Sequence, residues 1–223
     1  MASINKEFNQ YVETLISIFT IDKGNLKILL MRKKTEPYKG YWILPGNLVN
    51  NSETLEDNIT DAVYDKMGLP SLYIEQAHVY SNINRDPDER IMAVSFIGLI
   101  DSVSVELKRE VRENIESEWF NVTDIPKIAY DHEEIINKSL DYLKKKLVNT
   151  NVLKSLFPSD FTLPELQKIY EQILGIEIDR RNFRKKFINL GLIEDTGYKN
   201  EGGNGRPAKL YRFKDNIKET NLF

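Results

Sequence analysis

From Thr162 to Phe213 the sequence runs through a fixed order of local signals. An apolar-periodic segment, Thr162–Leu174, opens on a capping threonine and stops at Gly175. A gap of four residues, Gly175–Ile178, follows. A second segment, Asp179–Leu190, opens on a capping aspartate and stops at Gly191. Side-chain oxygens at the first position and glycine just past the last are the two ends that a helix needs. Next come a short β-rich run (Leu192–Asp195), a Gly- and Asn-rich loop (Gly197–Gly205) and a second run (Ala208–Phe213). Two helices joined by a tight turn and followed by a β-hairpin is the order of a winged helix.

The second of these helices is basic on the outside. Phe183, Phe187 and Leu190 recur at helical spacing and should face the core. Arg180, Arg181, Asn182, Arg184, Lys185 and Lys186 are left for the surface, and Lys199, Arg206, Lys209 and Arg212 follow in the hairpin. Between Asp179 and Arg212 there are 9 basic and 4 acidic residues. Arginine and asparagine are side chains that read guanine and adenine edges in the major groove. The expected DNA contacts are Arg180, Arg181, Asn182, Arg184, Lys185, Lys199, Arg206 and Lys209. A solvated basic helix is the bland alternative for the helix alone.

Charge is divided along the chain. Residues 151–223 carry 13 Lys+Arg and 10 Asp+Glu, while residues 1–150 carry 18 and 24. With Asn149-Thr150-Asn151 as a linker, the division is 1–148 for a first domain and 152–223 for the winged helix. The chain of 223 residues has no cysteine, so it has neither disulfides nor thiolate metal sites. The N-terminus has no apolar signal-peptide core. The longest apolar stretch, around Met92–Ile100, is too short to span a bilayer. The expected compartment is the cytoplasm, with no membrane partner.

The first domain reads as mixed α+β. Val12–Ile21 and Leu26–Arg32 are β-rich and flank the turn Asp22-Lys23-Gly24-Asn25. Tyr41–Leu44 is a short run before Pro45-Gly46. Thr54–Met67 has helical spacing, a cap at Ser52 or Thr54, and Gly68 as its stop. Glu75–Ser81 and Arg90–Ile100 are further strands, Glu118-Trp119-Phe120 a short one, and Asp131–Val148 a helix.

The segment from Pro45 to Thr54 resembles the start of a Nudix box, G-x5-E-x7-R-E-U-x-E-E-x-G-U. Aligned on Glu53 and Gly68-Leu69, Asn47 stands at the first glycine and Asp61-Ala62-Val63-Tyr64-Asp65-Lys66 at R-E-U-x-E-E. In Nudix hydrolases the glutamates of this helix hold Mg²⁺ on a diphosphate, and this hard ion needs oxygen ligands. Ala62 has no ligand atom and Lys66 repels the ion. The expectation is therefore no metal, no cofactor and no catalytic residue.

Other landmarks resemble NrtR-type regulators: Arg32–Lys34, Pro37-Tyr38, Trp42, Leu44-Pro45-Gly46, Arg85-Asp86-Pro87, Trp119-Phe120, Asp131-His132-x-x-Ile135, and Gly205-Arg206-Pro207-x-Lys209-x-Tyr211. The resemblance implies a Nudix-like α/β/α sandwich with a mixed sheet, followed by a C-terminal winged helix-turn-helix. It implies a homodimer on an inverted-repeat operator, acting as a repressor, with ADP-ribose as effector and NAD metabolism as its pathway. Some relatives answer to pentoses and regulate sugar use, which is the alternative within the class. A Nudix hydrolase of nucleoside diphosphate derivatives is the alternative from another class.

The ligand residues expected on this reading are Arg32, Tyr38, Trp42, Asn47, Lys66, Arg85, Asp86 and His132. Each has a plainer role open to it. Trp42 suits a core, Arg85 a solvated loop or a dimer contact, and Lys66 the solvent. His132 suits the start of a helix, satisfied by a backbone carbonyl.

Overall fold

The computed structural model describes residues 10–69, 72–102, 104–105, 116–157, 160–200 and 207–214. Strands β1 (Tyr11–Asp22) and β2 (Asn25–Arg32) form the expected hairpin. Its turn holds Lys23 and Gly24 at φ of 50° and 71°. A two-residue hairpin turn with both central residues left-handed matches the twist of the strands it joins.

The chain continues through β3 (Trp42–Ile43), β4 (Gly46–Leu48), α1 (Leu55–Asp61), β5 (Tyr73–Tyr80), β6 (Ile91–Leu99), β7 (Ser117–Asn121) and α2 (His132–Asn149). In the larger sheet the order is β3-β2-β1-β6-β5, with β4 on β1 and β7 on β2. β4 lies antiparallel to β1, with Thr14 opposite Asn47 and Leu15 opposite Gly46. A β-carbon at Gly46 would meet the Thr14 carbonyl oxygen at 2.1 Å, so only glycine lets the two strands approach.

Thr54 caps α1 in a reciprocal box with Asp57. The helix does not continue to Met67 as α-helix. Ala62–Lys66 winds as a π-helix instead, and Gly68 ends it at φ 62°.

In the C-terminal part, a 3-10 turn at Val152–Leu156 precedes β8 (Phe161–Thr162), α3 (Leu163–Leu174), α4 (Arg180–Asn189), β9 (Ile193–Lys199) and β10 (Lys209–Phe213). Thr162 caps α3 in a box with Glu165, and Gly175 ends it at φ 70°. Asp179 caps α4 by accepting from the Asn182 amide. The small sheet runs β8-β10-β9. β9 is longer than Leu192–Asp195 because a bulge between Lys209 and Tyr211 lets Lys199 still pair with Lys209.

Two compact units emerge: Met1–Ile18, Ile28–Gly98 and Glu106–Ser139 in one, Phe19–Lys27, Leu99–Val105 and Leu140–Phe223 in the other. The first buries Ile16, Ile28, Leu30, Ile59, Phe96, Ile135 and Ile136. The second gathers Tyr170, Phe183 and Phe187, whose ring centroids lie 4.5–5.5 Å apart. Burying one such phenylalanine contributes about 1.5–3 kcal/mol. The tip of the β1–β2 hairpin belongs to this second unit. Gln172 of α3 accepts from the Leu26 amide at 3.1 Å and donates to the Gly24 carbonyl at 3.0 Å. No helix among the described residues is long and apolar enough to cross a membrane.

Candidate effector cleft and nucleic-acid interface

In the first unit, a cleft of about 520 Å³ is lined by residues that include Glu13, Lys33, Asn47, Asp86, Tyr130 and His132. Its apolar wall includes Leu15, Ile43, Leu44, Leu48 and Ile91. A largely preformed cavity of this size with a few convergent polar groups is the usual form of a small-molecule site.

Arg85 lies beside the cleft and is not solvated: its side chain is 2% exposed. It grips Asp131 with two bonds of 2.9 Å and donates to Glu13 at 2.6 Å. Three segments far apart in sequence are tied by this triad: β1, the loop after β5 and the start of α2. Burial raises the Glu13 carboxyl above its ordinary range despite the bond to Arg85.

His132 is buried, and the Leu44 amide donates to its Nδ1 at 3.0 Å. Burial, with Arg85 and Lys33 nearby, lowers its pKa to about 3. The ring is therefore neutral, and its proton sits on Nε2. Thus the backbone partner of His132 is an amide that donates to it, not the carbonyl expected, and the ring also lines the cleft. Lys33 donates to Thr35 Oγ1 at 3.2 Å and stands 5.5 Å from the Tyr130 ring.

Of the eight expected ligand residues, Asn47, Asp86 and His132 line this cleft. Tyr38, at φ 67°, packs its ring 4.9 Å from Tyr130 and so borders it. Arg85 supports it from behind. Arg32 and Trp42 are engaged elsewhere: Arg32 pairs with Glu116 at 2.9 Å, and Trp42 stacks edge-on with Phe120 at 4.7 Å. The side chain of Lys66 lies outside the described residues. Glu13 and Tyr130 were not among the sequence candidates, and Lys33 was marked only as part of the landmark Arg32–Lys34. Tyr130 carried a signal of its own, as the residue before Asp131-His132, whereas Glu13 carried none.

The fold implies Mg²⁺ on the box helix, and the residues present do not fit it. Ala62 is 1% exposed with a methyl where a carboxylate belongs. Asp65, the one carboxylate left among the three positions, is exposed. Among the described residues no group of three or more His, Asp or Glu is arranged to hold a metal ion. Glu53 instead accepts from the Asn50 amide at 2.8 Å and from Asn58 at 2.7 Å. Asn58 is buried, donates also to the Leu48 carbonyl and accepts from Thr14. This hub holds the loop by which Asn47 reaches the cleft.

In the second unit, a cleft of about 460 Å³ opens between α4 and the β9–β10 hairpin. Arg180 and Arg184, one turn apart on α4, face Lys199 and Lys209 across it. Arg181, Asn182 and Lys185 are exposed on the rest of the helix. Lys209 is held by Asp195 at 2.6 Å. Arg206 lies outside the described residues. The arrangement is a concave basic groove beside a convex basic helix, and the two shapes suit a phosphate backbone and a DNA groove respectively.

The NUDIX domain family matches residues 14–139, and the NrtR DNA-binding winged helix domain matches residues 153–213. A transcriptional repressor of Acinetobacter baylyi named as ADPR-responsive is 34% identical over 204 residues, which cover 89% of this chain and 80% of that protein. The chain belongs to the NrtR family.

A crystal structure of Shewanella oneidensis NrtR complexed with a 27mer DNA superposes with a TM-score of 0.79 at 29% identity, covering 91% of this chain and 93% of that one. An ADP-ribose pyrophosphatase of Methanocaldococcus jannaschii is 33% identical over 141 residues, covering 63% of this chain and 80% of that enzyme. NrtR membership accounts for the whole order of elements, the winged helix included.

Proposed function

We propose that this protein is an effector-controlled transcriptional repressor of the cytoplasm. Residues 1–148 bind the effector and pair two copies, and residues 152–223 read an inverted-repeat operator. The observation that carries the reading is the groove in which Arg180 and Arg184 face Lys199 and Lys209. Four cations converging on one concavity with a single matched carboxylate, Asp195, attract a polyanion.

The effector on this reading is ADP-ribose, as in the name of the Acinetobacter relative. It is held without hydrolysis. The diphosphate needs positive charge, and Lys33 is the cleft's own source of it. Lys66, on the box helix, is assigned a share of the same role. The Tyr38–Tyr130 pair offers a flat apolar border for a base.

A second reading, a pentose effector, is favoured by one observation. Glu13, paired with Arg85, and Asp86 place two carboxylates in the cleft, and carboxylates accept from hydroxyls but repel phosphates.

The deciding experiment is calorimetry in EDTA with ADP-ribose, ribose and arabinose, paired with an operator-binding assay. ADP-ribose binding without metal, weakened by Lys33→Glu and coupled to loss of DNA affinity, supports the first reading. Binding of the free pentose alone moves the effector to a sugar. Turnover of ADP-ribose with Mg²⁺, abolished by Glu53→Gln, would falsify the non-catalytic assignment.

A further inference from the structure

The outer ridge of α4 carries one residue that does not belong on a merely solvated basic helix. Successive residues of an α-helix are turned by about 100°. Phe183 and Phe187 point inward and are 2% and 0% exposed. The side turned away from them is centred on Lys185 and flanked by Arg181 and Asn189, and Ile188 stands at its edge, between Arg181 and Arg184 around the helix. Ile188 is 44% exposed, an apolar β-branched side chain on an otherwise polar face. Arg180 and Arg184 are rotated away from this side toward the hairpin, where they share the concave groove with Lys199 and Lys209.

The helix therefore separates two kinds of contact. The groove side offers Arg180, Arg184, Lys199 and Lys209, which suit phosphate oxygens, beside an apolar wall that includes Leu163, Pro164 and Tyr211. The outer ridge offers a guanidinium and an ammonium, with an aliphatic surface at its edge about two turns along from the guanidinium. Within the major groove of DNA, one feature of the base edges rewards an aliphatic side chain: the C5 methyl of thymine. A phosphate backbone would leave Ile188 against charge and water. An apolar protein partner would have to bury Arg181 and Lys185 together with it, at a desolvation cost that nothing on this ridge offsets.

The geometry points to Ile188 as a specificity-determining residue that packs on a thymine methyl of the operator, with Arg181 and Lys185 reading or steering beside it. The inference rests on the DNA-binding reading above and goes beyond it by assigning one base type to one residue. Bringing one methyl out of water is worth about 0.8 kcal/mol, or roughly fourfold in affinity. That is a small effect, but it is attached to one position of the site.

The test removes the methyl from the DNA as well as the side chain from the protein. The full-length protein is used to select binding sequences from a random duplex library. Each thymine of the selected site is then replaced singly by deoxyuridine, and affinities are measured for the wild type and for Ile188→Ala. The helix keeps its register, because alanine is a stronger helix former than isoleucine at an exposed position.

The expected result is a thymine in each half-site at which the wild type loses about fourfold on replacement while Ile188→Ala, weaker throughout, loses nothing. Equal responses of the two proteins at every thymine, or no thymine at which the wild type responds, would overturn the assignment while leaving DNA binding intact. A library from which no sequence is enriched would overturn the DNA reading and this inference with it.

Discussion

In the effector cleft the strongest charges are buried and matched to one another: the Arg85 side chain is 2% exposed and is held by Asp131 and Glu13. In the groove between α4 and the hairpin the charges stand open to solvent, and Arg180, Arg184 and Lys199 converge with only Asp195 nearby to balance Lys209. The same residue types serve opposite purposes. Buried arginine fixes a shape, because leaving its partners uncompensated is costly. Exposed arginine keeps its charge available for a polyanion, because water already solvates it and salt already screens it.

The sharpest way to break this comparison is to remove the buried arginine. Arg85→Ala strands Glu13 and Asp131, and breaking a buried pair in this way costs about 3–5 kcal/mol. Urea unfolding should show a lowered midpoint at pH 7. A loss below about 1 kcal/mol would mean that the triad behaves like a surface pair. Arg184→Ala, by contrast, should leave the unfolding midpoint unchanged.

The neutral histidine gives a second separation. His132 has a folded pKa of about 3, below its ordinary 6.5. The unfolded chain therefore takes up a proton that the folded one refuses, and stability falls as pH drops below about 6.5 and levels off near the folded value. This term alone removes about 2 kcal/mol between pH 7 and pH 5. Glu13, whose carboxyl is raised, acts in the opposite sense as pH falls. The clean readout is thus the difference in pH dependence between the wild type and His132→Gln. If both lose stability alike between pH 7 and pH 5, the burial of a neutral ring is not the cause.

How much of this was legible in the sequence depended on whether the deciding partner was local. Helix starts at Thr54, Thr162 and Asp179, and stops at Gly68, Gly175 and Gly191, rest on contacts within a few residues, and each stands where the pattern placed it. β4 and β8 are only three and two residues long and exist through strands distant in sequence. No local pattern marks them. The π-helical turn at Ala62–Lys66 is likewise silent, because the apolar spacing of Thr54–Met67 reads as continuous α-helix. Arg85 is the plainest case at the site. Its loop suggested solvent, a pocket or a dimer, and the answer lay in Glu13 and Asp131, respectively 72 and 46 residues away. The basic face of α4 was legible because helical periodicity alone separates Phe183 and Phe187 from their charged neighbours.

On the exposed side, two substitutions should divide by function. Arg181→Ala, on the outer ridge, should cost about 1–3 kcal/mol on the operator and relax its specificity. Arg184→Ala, in the groove, should weaken all sequences alike and reduce the salt slope by about one unit. Fluorescence anisotropy on operator and scrambled duplexes across a salt series would separate the two. A sequence-specific loss for Arg184→Ala would place it on base edges and collapse the division between ridge and groove.

The smallest expected effect tests whether Lys209 is held back from DNA by its own neighbour. Asp195 accepts from Lys209 at 2.6 Å and from the Gly197 amide at 3.0 Å. The carboxylate therefore does two things: it neutralises a lysine of the groove and shapes the bend at Gly197, whose φ is 80°. Asparagine keeps the carbonyl oxygen that accepts from Gly197 and loses only the charge. Asp195→Asn should leave the fold of the hairpin as it is, release Lys209 and remove a carboxylate that repels phosphate. Affinity should rise for operator and scrambled DNA together at low salt, with a steeper salt dependence, and the gain should vanish at high salt as screening removes the field of both groups. A gain confined to one sequence would mean that Asp195 faces a base. No gain at low salt would mean that Lys209 and Asp195 act as a closed pair that no phosphate approaches, leaving Arg180, Arg184 and Lys199 to hold the backbone.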